Sequence, residues 1–134
     1  MARYSFYVFS NCTDPDREEE FNRWYTHTHL PDLSPAKGLV SARRCVNTDR
    51  NSGSQYLAIY EFETDNIDES ISSLYELAAN TWPRGRHIDC IAAAPPASPV
   101  LTFKEIDPAS LKPLQGIHYP TEMPDAVRLG FAAK

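Results

Sequence analysis

The chain is short of cysteine, of basic charge and of long apolar runs, and each shortage excludes a class of protein. Only three cysteines occur among 134 residues, Cys12, Cys45 and Cys90. They are odd in number and share no short spacing, which argues against a disulfide framework and against a cysteine-type zinc site. Lysine plus arginine total 13 against 18 acidic residues, a formal charge of −5. A nucleic-acid binder needs a basic stripe to displace counterions from phosphates, so no nucleic acid is expected as partner. No apolar run reaches the roughly 18 residues that span a bilayer, so no membrane partner is expected either. The opening MARYSFYVFSNC lacks the basic, apolar and small-residue zones of an export signal. There is no glycine-rich phosphate loop, no GxSxG elbow and no HExxH pair. What remains is a mildly acidic domain of one core, expected to be soluble and cytoplasmic.

Proline divides the chain. Of 11 prolines, seven lie in the last 40 positions (Pro95, Pro96, Pro99, Pro108, Pro113, Pro120, Pro124). Regular structure is therefore expected first, and an extended or turning chain after it. Arg3 to Phe9 is aromatic and β-branched and reads as a strand. Thr13-Asp14-Pro15 then caps a helix with three acids near its start, expected to run to about His29 and stop before Pro31. Leu39 to Val46 and Gln55 to Phe62 read as the next two strands, joined by the polar turn NTDRNSGS. Asp65 or Asn66 caps a second helix, with Ile67, Ile71, Leu74, Tyr75 and Ala78 in one apolar stripe. Two segments compete for the last strand, Val100 to Ile106 and Ile88 to Ala94.

This order is β-α-β-β-α-β, the ferredoxin-like α+β arrangement, with both helices on one face of a four-stranded antiparallel sheet. Strands one and three are apolar on both faces, with Tyr4, Phe6 and Val8 against Tyr7 and Phe9, and Tyr56, Ala58, Tyr60 and Phe62 against Leu57 and Ile59, so the face without helices would lie bare. A second copy of the chain is the simplest cover for that face, so a homodimer is expected.

The segment from Phe21 to Arg44 carries the most chemistry. At 100° per residue, Phe21, Trp24, Tyr25 and Thr28 share a face, and His29 lies at its edge. His27 points away, beside Glu20 and Arg23. Residues at i and i+2 of a helix cannot chelate one ion, so no metal is expected. His29, where the aromatic face meets the following loop, suits a general acid or base, and Asp32 is placed to orient its ring. The plainer alternative is a histidine that caps the helix end and does no more.

The pattern Phe21-x-x-Trp24-Tyr25-x-x-x-His29-Leu30-Pro31-Asp32, followed by Gly38-Leu39-Val40-x-Ala42-x-Arg44, resembles the dimeric α/β-barrel superfamily, and within it the EthD-like branch. The resemblance covers about residues 3–106. It implies a homodimer whose sheets face each other, with a pocket between helices and sheet and His29 as the pocket histidine. It also implies the activities of characterised relatives: cofactor-free cyclases, monooxygenases, and aldoxime or nitrile-lyase enzymes.

Other residues join the candidate site. Tyr25, Tyr56, Tyr60 and Tyr75 offer phenols to a carbonyl or oxyanion, though most buried tyrosines only satisfy backbone groups. Arg44 is a candidate for a substrate carboxylate, with a structural ion pair as the bland alternative for Arg43 or Arg44. Trp82 and His87 flank two arginines in a loop that can clamp a substrate or merely face solvent. The expectation is a small enzyme of lyase, dehydratase, cyclase or oxygenase type, needing no bound cofactor. His29, Asp32 and Tyr25 would perform its chemistry, and Trp24, Phe21, Arg44, Tyr60, Tyr75, Trp82 and His87 would bind a compact apolar, aromatic or carbonyl-bearing metabolite. The alternative is a non-catalytic protein of a degradation or biosynthetic pathway that holds a hydrophobic small molecule. Residues 1–107 form the expected domain. Residues 108–134 are expected to pack on the dimer as a proline-rich arm.

Overall fold

The structure, a computed structural model, describes residues 1–93 and 100–104. The domain boundary expected at 107 and the arm expected over 108–134 lie outside the described residues. Strand β1 (Ala2–Cys12) leads into a short 3-10 turn (Pro15–Arg17), then α1 (Glu18–Trp24), a π turn (Tyr25–His29) and α2 (Leu30–Leu33). Strands β2 (Leu39–Val46) and β3 (Tyr56–Thr64) form a hairpin. Helix α3 (Ile67–Thr81), a second 3-10 turn (Trp82–Arg84), β4 (Ile91–Ala93) and β5 (Val100–Lys104) complete the described chain.

The sheet is antiparallel in the order β2-β3-β1-β4, and β5 also pairs with β1. Both segments that compete in the sequence for the last strand are used. β4 lies along Ser10–Cys12 and β5 along Tyr4–Val8, so together they fill the fourth lane. The α+β ferredoxin-like arrangement is therefore as the sequence implies.

Register sets the faces. Phe6 opposes Tyr60, Val8 opposes Ala58 and Tyr4 opposes Phe62, which puts these side chains on the helix side of the sheet. Phe6, Phe21, Tyr25, Leu33, Ala58, Tyr60, Phe62, Leu74 and Ala78 form the core there. Asn66 caps α3 by accepting from the Glu69 backbone N–H at 3.1 Å, and Asp14 does the same for Asp16 at 3.0 Å. These acceptors satisfy donors that a helix start otherwise leaves open. In α3 the buried line is Ser70, Leu74 and Ala78. Tyr75, at the edge of the stripe, is 52% exposed.

The first helix does not stop before Pro31. It continues without a break through residues 18–33, and Pro31 stands in the first turn of α2. The π turn explains the continuation. The Leu30 N–H donates to the Tyr25 carbonyl, five residues back, and this wider turn makes room for the proline ring that would collide with a carbonyl of regular helix.

Candidate functional site

Tyr25, His29 and Leu33 are spaced by four along this helix and all three are buried. A regular helix drifts by about 40° every four residues. The π turn advances less per residue and keeps Tyr25 and His29 in line. The line faces Phe6 and Val8 of β1, Tyr60 of β3 and Ile91 of β4, while Leu74, Tyr75 and Ala78 of α3 close one side and Trp82 another. Together they enclose a cavity of about 120 Å³. That is below the roughly 300–1,000 Å³ of sites for drug-sized ligands, so its occupant must be compact.

His29 is packed among aromatic rings. It stacks on Trp24 with centroids 4.7 Å apart and planes at 14°. Tyr25 presents its ring edge-on at 5.0 Å, and Trp82 lies 5.7 Å away. Burial lowers the imidazole pKa from its ordinary value to about 4. The Asp32 charge acts the other way, and His87 and Arg44 add to the lowering. Desolvation wins because a charged ring would lose its water in an apolar wall. The resting side chain at neutral pH is the uncharged imidazole, a form that accepts a proton.

Stability should follow. The unfolded chain takes up a proton near pH 6.5, whereas the folded chain resists until about pH 4. The unfolded state therefore binds more protons within that window, and stability falls as the pH falls through it. The His29 contribution amounts to about 3 kcal/mol at most. Denaturant unfolding between pH 7 and pH 4 should show it in the wild type and lack it in His29→Phe. An equal loss in both proteins would assign the effect to other groups.

Tyr25 and Tyr60 meet at the inner end of the cavity. Their hydroxyls interact with each other, and burial raises the pKa of both phenols, so both stay protonated. Behind Tyr25, away from the cavity, the Arg44 guanidinium lies 4.4 Å over its ring. Arg44 also donates to Asn22 Oδ1 at 3.0 Å and Thr26 Oγ1 at 3.3 Å. It supports the helix from the β2 side.

Asp32 is engaged elsewhere. Its two carboxylate oxygens accept from Arg86 Nε at 2.7 Å and from the second Arg86 nitrogen at 3.0 Å. Among the described residues it makes no hydrogen bond to the His29 ring, contrary to the orienting role expected from spacing. A planar guanidinium matches both oxygens at once, which a single ring N–H cannot. The Arg86 carbonyl in turn accepts from Trp24 Nε1 at 2.8 Å. Asp32, Arg86 and Trp24 thus fasten the loop that carries Trp82 and His87 beside the helix.

Of the residues expected at the site, Tyr25, His29, Tyr60, Tyr75 and Trp82 line the cavity. Phe21 is fully buried in the core, Trp24 backs His29, and His87 lies against Trp82 at 4.1 Å with its ring tilted by 30°, while itself exposed. Arg43 pairs with Glu61 at 3.5 Å on the opposite sheet face. Leu33, Phe6, Val8 and Ile91 are not among the expected site residues, and Arg86 is expected only as one of the two loop arginines that can clamp a substrate. Leu33 falls one turn after His29 once the helix passes Pro31, and Phe6 and Val8 follow from strand alternation. Nothing local to Arg86 announces Asp32 as its partner. Among the described residues no group of histidine, cysteine and acidic side chains is placed to hold a metal. No described helix is long and apolar enough to cross a membrane.

No established family profile and no curated protein matches the chain. Solved structures do. One is a candidate antibiotic biosynthesis monooxygenase from Bordetella bronchiseptica, 17% identical with TM-score 0.54, covering 80% of this chain and 98% of that one. Another is an ethyl tert-butyl ether degradation (EthD) family protein from Bacillus halodurans, 11% identical with TM-score 0.51, covering 79% and 100%. They share the fold described above. HapK from Hahella chejuensis shares it at 9% identity and TM-score 0.55, over 89% of this chain and 99% of that one. At such identities the likeness to these structures carries the fold and no activity.

Proposed function

We propose that the protein is a small enzyme that removes a proton from a compact, apolar, carbonyl-bearing substrate, with neutral His29 as the base. The observation that supports this reading is the buried His29 imidazole in the wall of a cavity otherwise lined by apolar and aromatic side chains, a setting that disfavours its charged form. In such a place a proton acceptor acts without competing water. The imidazolium formed would be steadied by the nearby Asp32 charge, whose effect on His29 favours the protonated ring. Tyr25 and Tyr60 both line the cavity and their hydroxyls interact, so this pair supplies an O–H donor to the substrate carbonyl. Trp82 Nε1 is buried without a hydrogen-bond partner among the described residues. A ligand oxygen would satisfy that donor, which is costly to leave unpaired. Base-initiated lyase, dehydratase, cyclase and cofactor-free oxygenase reactions share such a proton transfer.

Mass spectrometry of small molecules released from the purified protein tests the substrate class. A compact, uncharged molecule with a carbonyl or related oxygen is expected. A phosphorylated or multiply charged occupant would overturn the reading, because among the described residues the cavity wall has no lysine or arginine to meet it.

We also propose that two copies pair through the sheet face opposite the helices. Tyr7, Phe9 and Leu57 on that face are only half-buried, and apolar side chains in contiguous strands favour a partner over water. Sedimentation at micromolar concentration should give twice the chain mass. A 15.1 kDa species would contradict the pairing.

A further inference from the structure

The structure brings Cys12 and Cys90 together although 78 positions separate them, with sulfurs 3.6 Å apart. We propose that they form a two-thiol redox site that reacts with a low-molecular-weight disulfide such as oxidised glutathione, closing a Cys12–Cys90 bond. The two thiols differ in access. Cys12 is half-buried at the end of β1, and Cys90 is buried. Their backbones are already joined, since the Thr13 N–H donates to the Cys90 carbonyl at 2.7 Å. Cys12 also stands opposite Ile91 in the β1–β4 ladder. Little chain movement is needed to shorten the sulfur contact to a bond of about 2.05 Å.

The order of steps follows from access. The Cys12 thiolate attacks one sulfur of oxidised glutathione, forming a mixed disulfide and releasing one glutathione thiolate. The Cys90 thiol loses its proton to solvent, and its thiolate attacks the Cys12 sulfur and expels the second glutathione. The protein gives up two electrons and two protons, and one oxidised glutathione becomes two reduced ones. Burial raises the Cys90 pKa, so the second step should quicken as the pH rises. The bond would tie β1 to the residue preceding Ile91, which lines the cavity. It would therefore lock that wall in place. Cys45, exposed on β2, has no such neighbour among the described residues and can take only an adduct.

The test uses full-length protein carrying Cys45→Ser, treated with oxidised glutathione at pH 8 and examined by intact mass under denaturing, alkylating conditions. The expected product is lighter than the reduced chain by two hydrogens, with no free thiol and no glutathione attached. Adding Cys90→Ser should leave one glutathione on Cys12, and adding Cys12→Ser should leave the chain unmodified. A stable glutathione adduct on Cys12 with Cys90 still open to alkylation would overturn the proposal. So would two unreacted thiols. Cys45→Ala serves as a second background should the serine variant fold poorly.

Discussion

Replacing His29 with phenylalanine is expected to lower turnover of the cavity's ligand by about 10²–10⁴-fold while leaving its binding within a few-fold. Phenylalanine keeps a flat ring between Trp24 and Trp82 and removes only the nitrogen that takes the proton. The wild-type rate should also keep its acid limb near pH 4 in place of the ordinary histidine value, because the ring loses its basic form only when protonated. The sign is definite: activity falls as the pH drops through about 4, and stays level on this account above about pH 5. If both proteins bind the ligand and neither converts it, the binding-protein alternative replaces the enzyme. If His29→Phe turns over normally, the base lies elsewhere.

The second large effect concerns Gly38, which joins the first helix to β2. Its φ of +78° lies in the left-handed region, and a Cβ there would come within 2.7 Å of the Glu63 carbonyl oxygen. It would also stand 3.1 Å from Thr64 Cβ and 3.3 Å from Ser70 Oγ. The obstacle is backbone of β3, and it cannot retreat without breaking the 2.8 Å bond from the Glu63 N–H to the Gly38 carbonyl. Gly38→Ala should therefore cost about 3 kcal/mol, the sum of left-handed strain and overpacking. Gly85 has the same φ of +78° and nothing within 4 Å of its Cβ position. Gly85→Ala should cost only about 1 kcal/mol, from strain alone. Denaturant unfolding of the pair separates the two causes, and equal losses would refute the steric part.

Much of the fold is legible in the sequence because strand alternation and capping residues are local signals. Asn66 ahead of an apolar stripe marks α3, and RYSFYVF marks β1. The fourth strand is ambiguous for a physical reason: Ile91–Ala93 and Val100–Lys104 each pair with only part of β1. Neither is long enough to exclude the other. The end of the first helix is misread because proline ordinarily breaks a helix, and no local residue encodes the π turn that accommodates Pro31. At the site, His29 and Tyr25 are found from helical spacing. Asp32 is assigned to the wrong partner because Arg86 lies 54 positions away. The Cys12–Cys90 contact is invisible for the same reason. Spacing along the chain predicts partners only within an element.

The account rests on an imidazole that stays uncharged at neutral pH within the cavity wall. Nitrogen NMR of the His29 ring, assigned by comparison with His29→Phe and followed from pH 8 to pH 3.5, measures this with no substrate needed. A neutral ring down to about pH 4 is the predicted result. Protonation near the ordinary value of about 6.5 would mean that water reaches the ring, and would contradict the dry cavity and the base assigned to it.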